Sequence, residues 1–317
     1  MKHIFLTCSI LTISMIIIPL AVMKDTREKP VSAVSSTQEN DGYISVMKSE
    51  NGKVETVSER EYIIGSLAAE MDFSYHDEAL KAQAVACYTY AVYTKNKGVE
   101  EDLNGADISD DSGIHQGYIN AEERAKKWGV NFEKYEKKAG EIVDSIEGKI
   151  MFYDGKPILA VYHDLNNGRT LDAETVWKEK IPYLVGKESP GDKLSPDYSK
   201  EVEFTYDDFR SRLEKIDGVV FNTEKENWIG KSEKTENGYV KNVEICNEKI
   251  SSEDFCTALE LRSRCFTLKS DENGIKINVT GNGHMVGMSQ YGADYMARQG
   301  ADYVEILKYY YTNVEIQ

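Results

Sequence analysis

EREYIIGSLAAEMDFSYHDEALKAQAVACYTYAVYTK, residues 59–95, is the stretch on which the fold turns. Residues 59–71 carry apolar side chains at helical spacing, DFSYH breaks the pattern, and a longer helical run occupies residues 78 to about 95. Asp77 stands where the second helix needs an N-cap. Two glutamates flank the break. Glu70 falls in the last turn of the first helix, where the negative end of the helix macrodipole opposes ionisation and raises a carboxyl's pKa, more so in an apolar site. Glu78 opens the second helix, where the positive end favours the charged form and a capping role. A general acid therefore belongs at Glu70, with an ordinary solvated glutamate as the alternative on position alone.

Working outward, residues 43–57, YISVMKSENGKVETV, form two alternating runs around Asn51-Gly52, a hairpin pattern. On the other side, the acidic residues 99–113 invite a calcium reading. An EF-hand loop starting at Asp107 needs a glycine and a glutamate where Ser112 and Tyr118 stand, so a solvated loop is the better reading. Helical character resumes over residues 120–147, with Trp128 and Tyr135 as apolar anchors. Residues 148–162, GKIMFYDGKPILAVY, read as strand, Asp-Gly turn and strand. Short helices and strands mix over residues 195–266, a candidate subdomain, IKINVT at 275–280 closes a sheet, and residues 291–311 are mostly helical. Helices and short β-hairpins alternate without a βαβ rhythm, so the expected class is α+β, with the elements forming a groove. No internal repeat is present.

Residues 4–23, IFLTCSILTISMIIIPLAVM, are uncharged and long enough at about 1.5 Å per residue to cross a bilayer core of roughly 30 Å. Poor cleavage sites around Pro19 to Met23 favour an uncleaved signal anchor, residues 1–23, forming an N-terminal transmembrane helix. Lys2 inside puts the rest outside, although Lys24, Arg27 and Lys29 pull the other way. Residues 24–41 are polar and Ser-rich, a flexible tether for a domain over residues 42–317. Across all 317 residues, 38 Lys and Arg face 54 Asp and Glu, a net charge of −16 that repels nucleic acid. The five cysteines include no CxxC pair, and Cys8 stands apart from the rest. Cys87 lies on the apolar side of the second helix, while Cys246, Cys256 and Cys265 are close enough in sequence to permit a bridge in an exported domain.

Residues 281–293, GNGHMVGMSQYGA, sit between a strand and a helix, where backbone amides and side chains converge on ligands. The common templates fail there: Val286 occupies the third glycine of a dinucleotide motif, no P-loop lysine is present, and the spacing around Ser289 is one residue too long for a nucleophile elbow. His284 is either a base or a satisfied core histidine. Gln290 and Tyr291 add hydrogen-bonding groups, and without Lys or Arg the turn suits a sugar better than an anion.

LAAEM, EALKAQAVACYTYAVY, HQGY, YDGKPILAVYH, VWKEKIPYLVGKESPGD, LELRSRCF and GHMVGMSQYGADYMARQG, in this order over residues 43–317, resemble the SpoIID/LytB domain family. The anchor and tether resemble its SpoIID branch rather than the soluble amidase enhancers that share the domain. The resemblance implies a lytic transglycosylase of the cell membrane, single-pass with its catalytic domain extracytoplasmic in the septal intermembrane space, that cleaves peptidoglycan glycan strands during engulfment in sporulation. It implies as partners the strands themselves, stripped of stem peptides by an engulfment amidase, and membrane scaffold proteins. One carboxylic acid would protonate the oxygen between N-acetylmuramic acid and N-acetylglucosamine and leave a 1,6-anhydro end, unlike the paired carboxylates of hydrolytic glycosidases. The acid matches Glu70; Tyr183, Asp192, His284, Ser289 and Gln290 match positions lining the glycan path, and Tyr291, His115 and His163 join them as substrate-binding candidates. No cofactor is implied, and no metal, since His115 has no cysteine nearby. Two departures stand out: residues 163–170 replace a Ser/Thr-rich Gly-Gly stretch, and Met285 replaces the usual glycine after the histidine. The alternatives are a non-catalytic glycan-binding enhancer of a cell-wall amidase and a structural scaffold for engulfment.

Overall fold

The computed structural model describes residues 42–98, 100–146 and 148–317. Its centre is a long helix, α2 (Asp77–Lys97), buried on most of its surface. Alanines at 79, 82, 84, 86 and 91, all fully buried, keep that surface shallow, so other helices approach closely. Around it pack α1 (Glu59–Glu70), α4 (Phe132–Ser145), α8 (Gln290–Arg298) and α9 (Tyr303–Tyr310). His76, one residue before the expected Asp77, is the N-cap, its Nδ1 accepting from the Glu78 N–H at 3.3 Å. Asp77 instead pairs with Lys138 at 2.9 Å. Thr89, buried in the middle of α2, donates to the Val85 carbonyl at 2.6 Å and accepts from Met151 N–H at 3.0 Å, which fastens β4 (Met151–Tyr153) to the helix.

Among the described residues the strands make five small sheets. The Asn-Gly hairpin forms as β1 (Tyr43–Met47) and β2 (Val54–Ser58), with β3 (Ile108–Ser109) added parallel to β1. β4 pairs with β5 (Lys156–Pro157) across the Asp-Gly turn and with β14 (Glu315–Ile316). Residues expected as one helical stretch from 120 split into α3 (Ala121–Trp128) and α4, because Gly129 takes φ +50 and ends α3. Two residues of β6 (Tyr162–His163) lie parallel to β13 (Met288–Ser289), and isolated bridges join Leu165 to Asn282 and Leu171 to Val286. This ladder lays the glycine-rich turn along the segment after β6.

A second cluster of buried apolar residues, from Phe204 to Val279, gathers around Phe209, Phe255 and Ile277. It is built by β7 (Ser199–Phe204), α6 (Tyr206–Leu213), β8 (Ile229–Lys234), β9 (Val240–Ile245), β10 (Glu248–Ser251), α7 (Ser252–Leu259), β11 (Phe266–Ser270) and β12 (Ile275–Thr280). The four cysteines at 87, 246, 256 and 265 are free and buried, so the bridge that spacing permits among the last three is absent.

The mixed helix and strand content is as expected, but the transmembrane helix requires correction. Among the described residues no helix is long and apolar enough to cross a membrane. The stretch to which that expectation attached, residues 4–23, lies outside the described residues, as does the tether at 24–41. The single-pass membrane location rested on that helix and falls with it.

Candidate active site around Glu70

Glu70 is the last residue of α1, and Met71 caps the helix with its N–H on the Leu67 carbonyl. The final carbonyls of a helix lack intrahelical donors. Here Lys127, from α3, supplies them, its Nζ donating to Ala68 O at 2.6 Å and Ala69 O at 3.1 Å. Gln290 Nε2 donates to the Glu70 carbonyl at 3.2 Å and to Gln83 Oε1 at 3.4 Å. The carboxyl itself accepts from the Gly117 N–H through Oε1. A Cβ on residue 117 would lie 2.8 Å from that oxygen and 3.0 Å from Ala69 Cβ, so only glycine allows the approach.

Burial raises the Glu70 pKa above the usual carboxylate range, and the Gly117 N–H and the Lys127 charge act against the rise. Behind the acid runs a buried polar chain. Gln83 Nε2 reaches Cys87 Sγ at 3.3 Å, Cys87 lies 3.6 Å from the Tyr162 hydroxyl, and that hydroxyl donates to Gln116 Oε1 at 3.0 Å. Gln116 Nε2 closes the chain on the Tyr62 hydroxyl at 2.6 Å and the Cys87 carbonyl at 2.8 Å. Burial pushes the Cys87 thiol up to about 12, which keeps it neutral beside the acid.

Six of the other expected residues gather in three places. Gln290 touches Glu70, and Tyr291 faces Tyr75, ring centroids 6.3 Å apart and nearly perpendicular, in the turn that follows Glu70. Asp192 and Ser289 are wholly buried in a clamp: Asp192 Oδ1 accepts from Ser289 Oγ at 2.6 Å and from Asn166 N–H at 2.8 Å, while Oδ2 accepts from Ser189, whose hydroxyl contacts the Tyr310 hydroxyl at 2.8 Å. Ser289 Oγ also accepts from Gly292 N–H at 3.1 Å, so these residues fix the start of α8 and thereby Gln290. His163 and His284 lie with ring centroids 5.8 Å apart and planes tilted by 59°, and Trp177 of α5 (Ala173–Trp177) covers His284 at 5.3 Å. Both imidazoles bond backbone: His163 Nδ1 to Val286 O at 3.1 Å, and His284 Nδ1 accepting from Val286 N–H at 3.1 Å. Burial lowers their pKa values, to about 3 and about 4, so both are neutral.

Tyr183 and His115 stand among other partners. The Tyr183 hydroxyl accepts from Leu159 N–H at 3.0 Å and its ring packs on Tyr153 at 5.4 Å. His115 accepts from Ser109 N–H at 3.3 Å and faces Tyr90, and burial lowers its pKa. Sequence reasoning missed Gly117, Lys127, Gln83, Gln116 and Tyr162. The HQGY block held two of them, but the need for a missing side chain at 117 is visible only in three dimensions.

A cleft of about 500 Å³ lies beside α5 and β9, lined by Asp172, Glu174, Tyr239 and Arg264 among others, and none of the expected site residues lines it. Among the described residues no group of three or more His, Cys, Asp or Glu side chains is arranged to hold a metal. The chemistry available at Glu70 is that of one half-buried, protonatable carboxyl with one oxygen held by a backbone donor.

Residues 47–153, which supply Glu70, Gly117 and Lys127, match the family model SpoIID, described as stage II sporulation protein. Stage II sporulation protein D of Bacillus subtilis (strain 168) is 36% identical over 277 residues, covering 86% of this chain and 78% of that protein. The chain belongs to the SpoIID family. A second SpoIID relative, stage II sporulation protein D of Bacillus amyloliquefaciens, is 35% identical over 274 residues, with 86% of this chain and 78% of the relative covered. The amidase enhancer of Bacillus subtilis (strain 168) is more distant, 26% identical over 302 residues, 78% of this chain against 39% of that protein. Within this SpoIID member the family match thus spans the acid and its holders, while Gln290 and the Asp192 clamp fall beyond residue 153.

Proposed function

We propose that this SpoIID protein is a lytic transglycosylase that cuts peptidoglycan glycan strands already stripped of stem peptides, in the septal wall remodelling of engulfment. The protonated Glu70 carboxyl gives its proton to the glycosidic oxygen between N-acetylmuramic acid and N-acetylglucosamine as the bond from C1 breaks. The resulting carboxylate then takes the proton of the muramoyl 6-hydroxyl while O6 bonds to C1. The ends are a free 4-hydroxyl and a 1,6-anhydro ring, no water is consumed, and the acid returns to its starting form. The observation that carries this reading is the state of Glu70: a carboxyl whose pKa burial raises against the opposing Lys127 charge, held through one oxygen by Gly117. An amidase that removes the stem peptides is the partner this substrate requires.

The test is mass spectrometry of peptide-free strands incubated with the full chain and with Glu70→Gln. Anhydro-ended fragments are expected from the wild type and none from the variant. Similarity to an amidase enhancer favours a second reading, in which the same face holds glycan without cutting it and stimulates an amidase. Intact strands in both samples, with amidase stimulation kept by Glu70→Gln, would replace the first reading by the second.

A further inference from the structure

We infer that Tyr75, Tyr291, Asp164 and Asn282 form a subsite for one neutral sugar ring, beside Glu70 on the same face. The inference rests on the glycan reading above and adds Tyr75, Asp164 and Asn282 to Tyr291, the one member that the sequence had already offered. Tyr75 and Tyr291 are both half-buried, their rings meet at 87°, and each can offer apolar CH-binding surface with a polar tip at the solvent side. Asp164 is half-buried as well. Its Oδ2 accepts from Asn282 Nδ2 at 2.8 Å, and its backbone carbonyl accepts from Tyr291 N–H at 3.1 Å, which joins the carboxylate to the aromatic pair.

The link to the acid is short. Tyr291 follows Gln290, whose amide holds the Glu70 carbonyl, and Tyr75 lies in the turn that leaves Glu70. That turn is pinned on both sides. His76 N–H donates to Asp294 Oδ1 at 2.7 Å, and Arg298 bridges Asp294 and the Ser74 carbonyl. Lys138 Nζ donates to Phe73 O at 3.0 Å and Tyr75 O at 3.3 Å. The Tyr75 ring is thus presented on a fixed backbone, so little ordering is needed when a ligand arrives.

The chemistry selects the occupant. A carboxylate with an amide beside it, next to aromatic rings, accepts and donates to the hydroxyls and acetamido groups of a sugar while the rings cover its CH face. The Asp164 charge opposes a phosphate or an acidic peptide, and the net charge of −16 adds to that opposition.

The experiment measures the affinity of peptide-free glycan strands for the full chain carrying Glu70→Gln, by titration calorimetry, with Tyr75→Ala, Tyr75→Phe and Asp164→Asn added in turn. Tyr75→Ala and Asp164→Asn are each expected to weaken binding about tenfold, the size of a lost charge-assisted contact, and Tyr75→Phe to leave it within about twofold. KM for cleavage should rise with the same ranking in the Glu70-containing chain, with thermal midpoints checked for each variant. Unchanged affinity in both weakened variants overturns the subsite, even where wild-type cleavage proceeds. Weakened affinity with no cleavage by the wild type keeps the subsite and removes the transglycosylase. Absence of strand binding by the parent removes both, and a preference for a cationic amine probe over the strands reassigns the site.

Discussion

Glu70 shows how one carboxyl is tuned by burial and by two neighbours of different kinds. Burial raises its pKa, the Gly117 N–H and the Lys127 ammonium lower it, and the balance leaves it raised. On the proposed reading the protonated form is the working acid, so cleavage is expected to decline as pH climbs through that pKa. Lys127→Gln removes a positive charge while keeping an amide donor for the Ala68 and Ala69 carbonyls. Its descending limb in a kcat against pH profile is expected at higher pH than that of the wild type; an unmoved limb would mean that the Lys127 charge does not reach the acid. Gly117→Ala acts by position rather than charge, because its Cβ would press to 2.8 Å from Glu70 Oε1. A displacement of this kind costs about 100-fold in kcat, measured on a variant whose circular dichroism matches the wild type. Helix position in the sequence favoured Glu70 over Glu78 for a general acid and left a solvated glutamate as the alternative; the Gly117 contact and the Lys127 charge come from parts of the chain that position does not show. Asp192 was not legible in the same way: the resemblance placed it along a glycan path, whereas its carboxyl is wholly buried and spends its oxygens on Ser189, Ser289 and Asn166.

Among elements, the ones that could be read were those whose pattern is local. The hairpin around Asn51-Gly52, the strand at 275–280 and the two helices flanking DFSYH follow from periodicity and turn residues within a few positions of one another. The parallel contact between β6 and β13 was not legible, because two residues are too few to carry a period and their partners lie far apart in the chain. Met285 belongs to the same class. It holds φ +64, a conformation that costs a residue with a Cβ about 1 kcal/mol or more, and its buried side chain lies against Cys265, with the two sulfurs 3.5 Å apart. Helix α2 depends on a contact of this long-range kind as well. In Thr89→Val the shape is kept but the buried Met151 N–H loses its acceptor, and the expected loss is about 1–3 kcal/mol, read from urea unfolding. A loss below about 0.5 kcal/mol would indicate that Met151 finds another partner.

For the molecule as a whole, the neighbouring imidazoles of His163 and His284 make stability depend on acid. Their folded pKa values lie near 3 and 4, below the ordinary 6.5. Unfolding therefore takes up protons, so the stability contributed by the neutral pair is full above pH 6.5 and is lost as pH falls from there towards 4. The thermal midpoint should drop across that window, and His163→Gln, though less stable at neutral pH, should show a flatter slope; parallel curves would count against the pair as the source. The sequence allowed either reading of His284, and it is the contact with Trp177 and with its own turn that makes the imidazole neutral. The holders of the acid come from far apart in the chain: Gly117 from the loop before α3, Lys127 from its end, and Gln290 from the first turn of α8. A nascent chain released only as far as β12 has the glutamate but not the amide that holds its carbonyl or the serine that orients that amide. On the proposed reading, lytic power then switches on late in biosynthesis, and a wall-cutting protein remains harmless while it is being made.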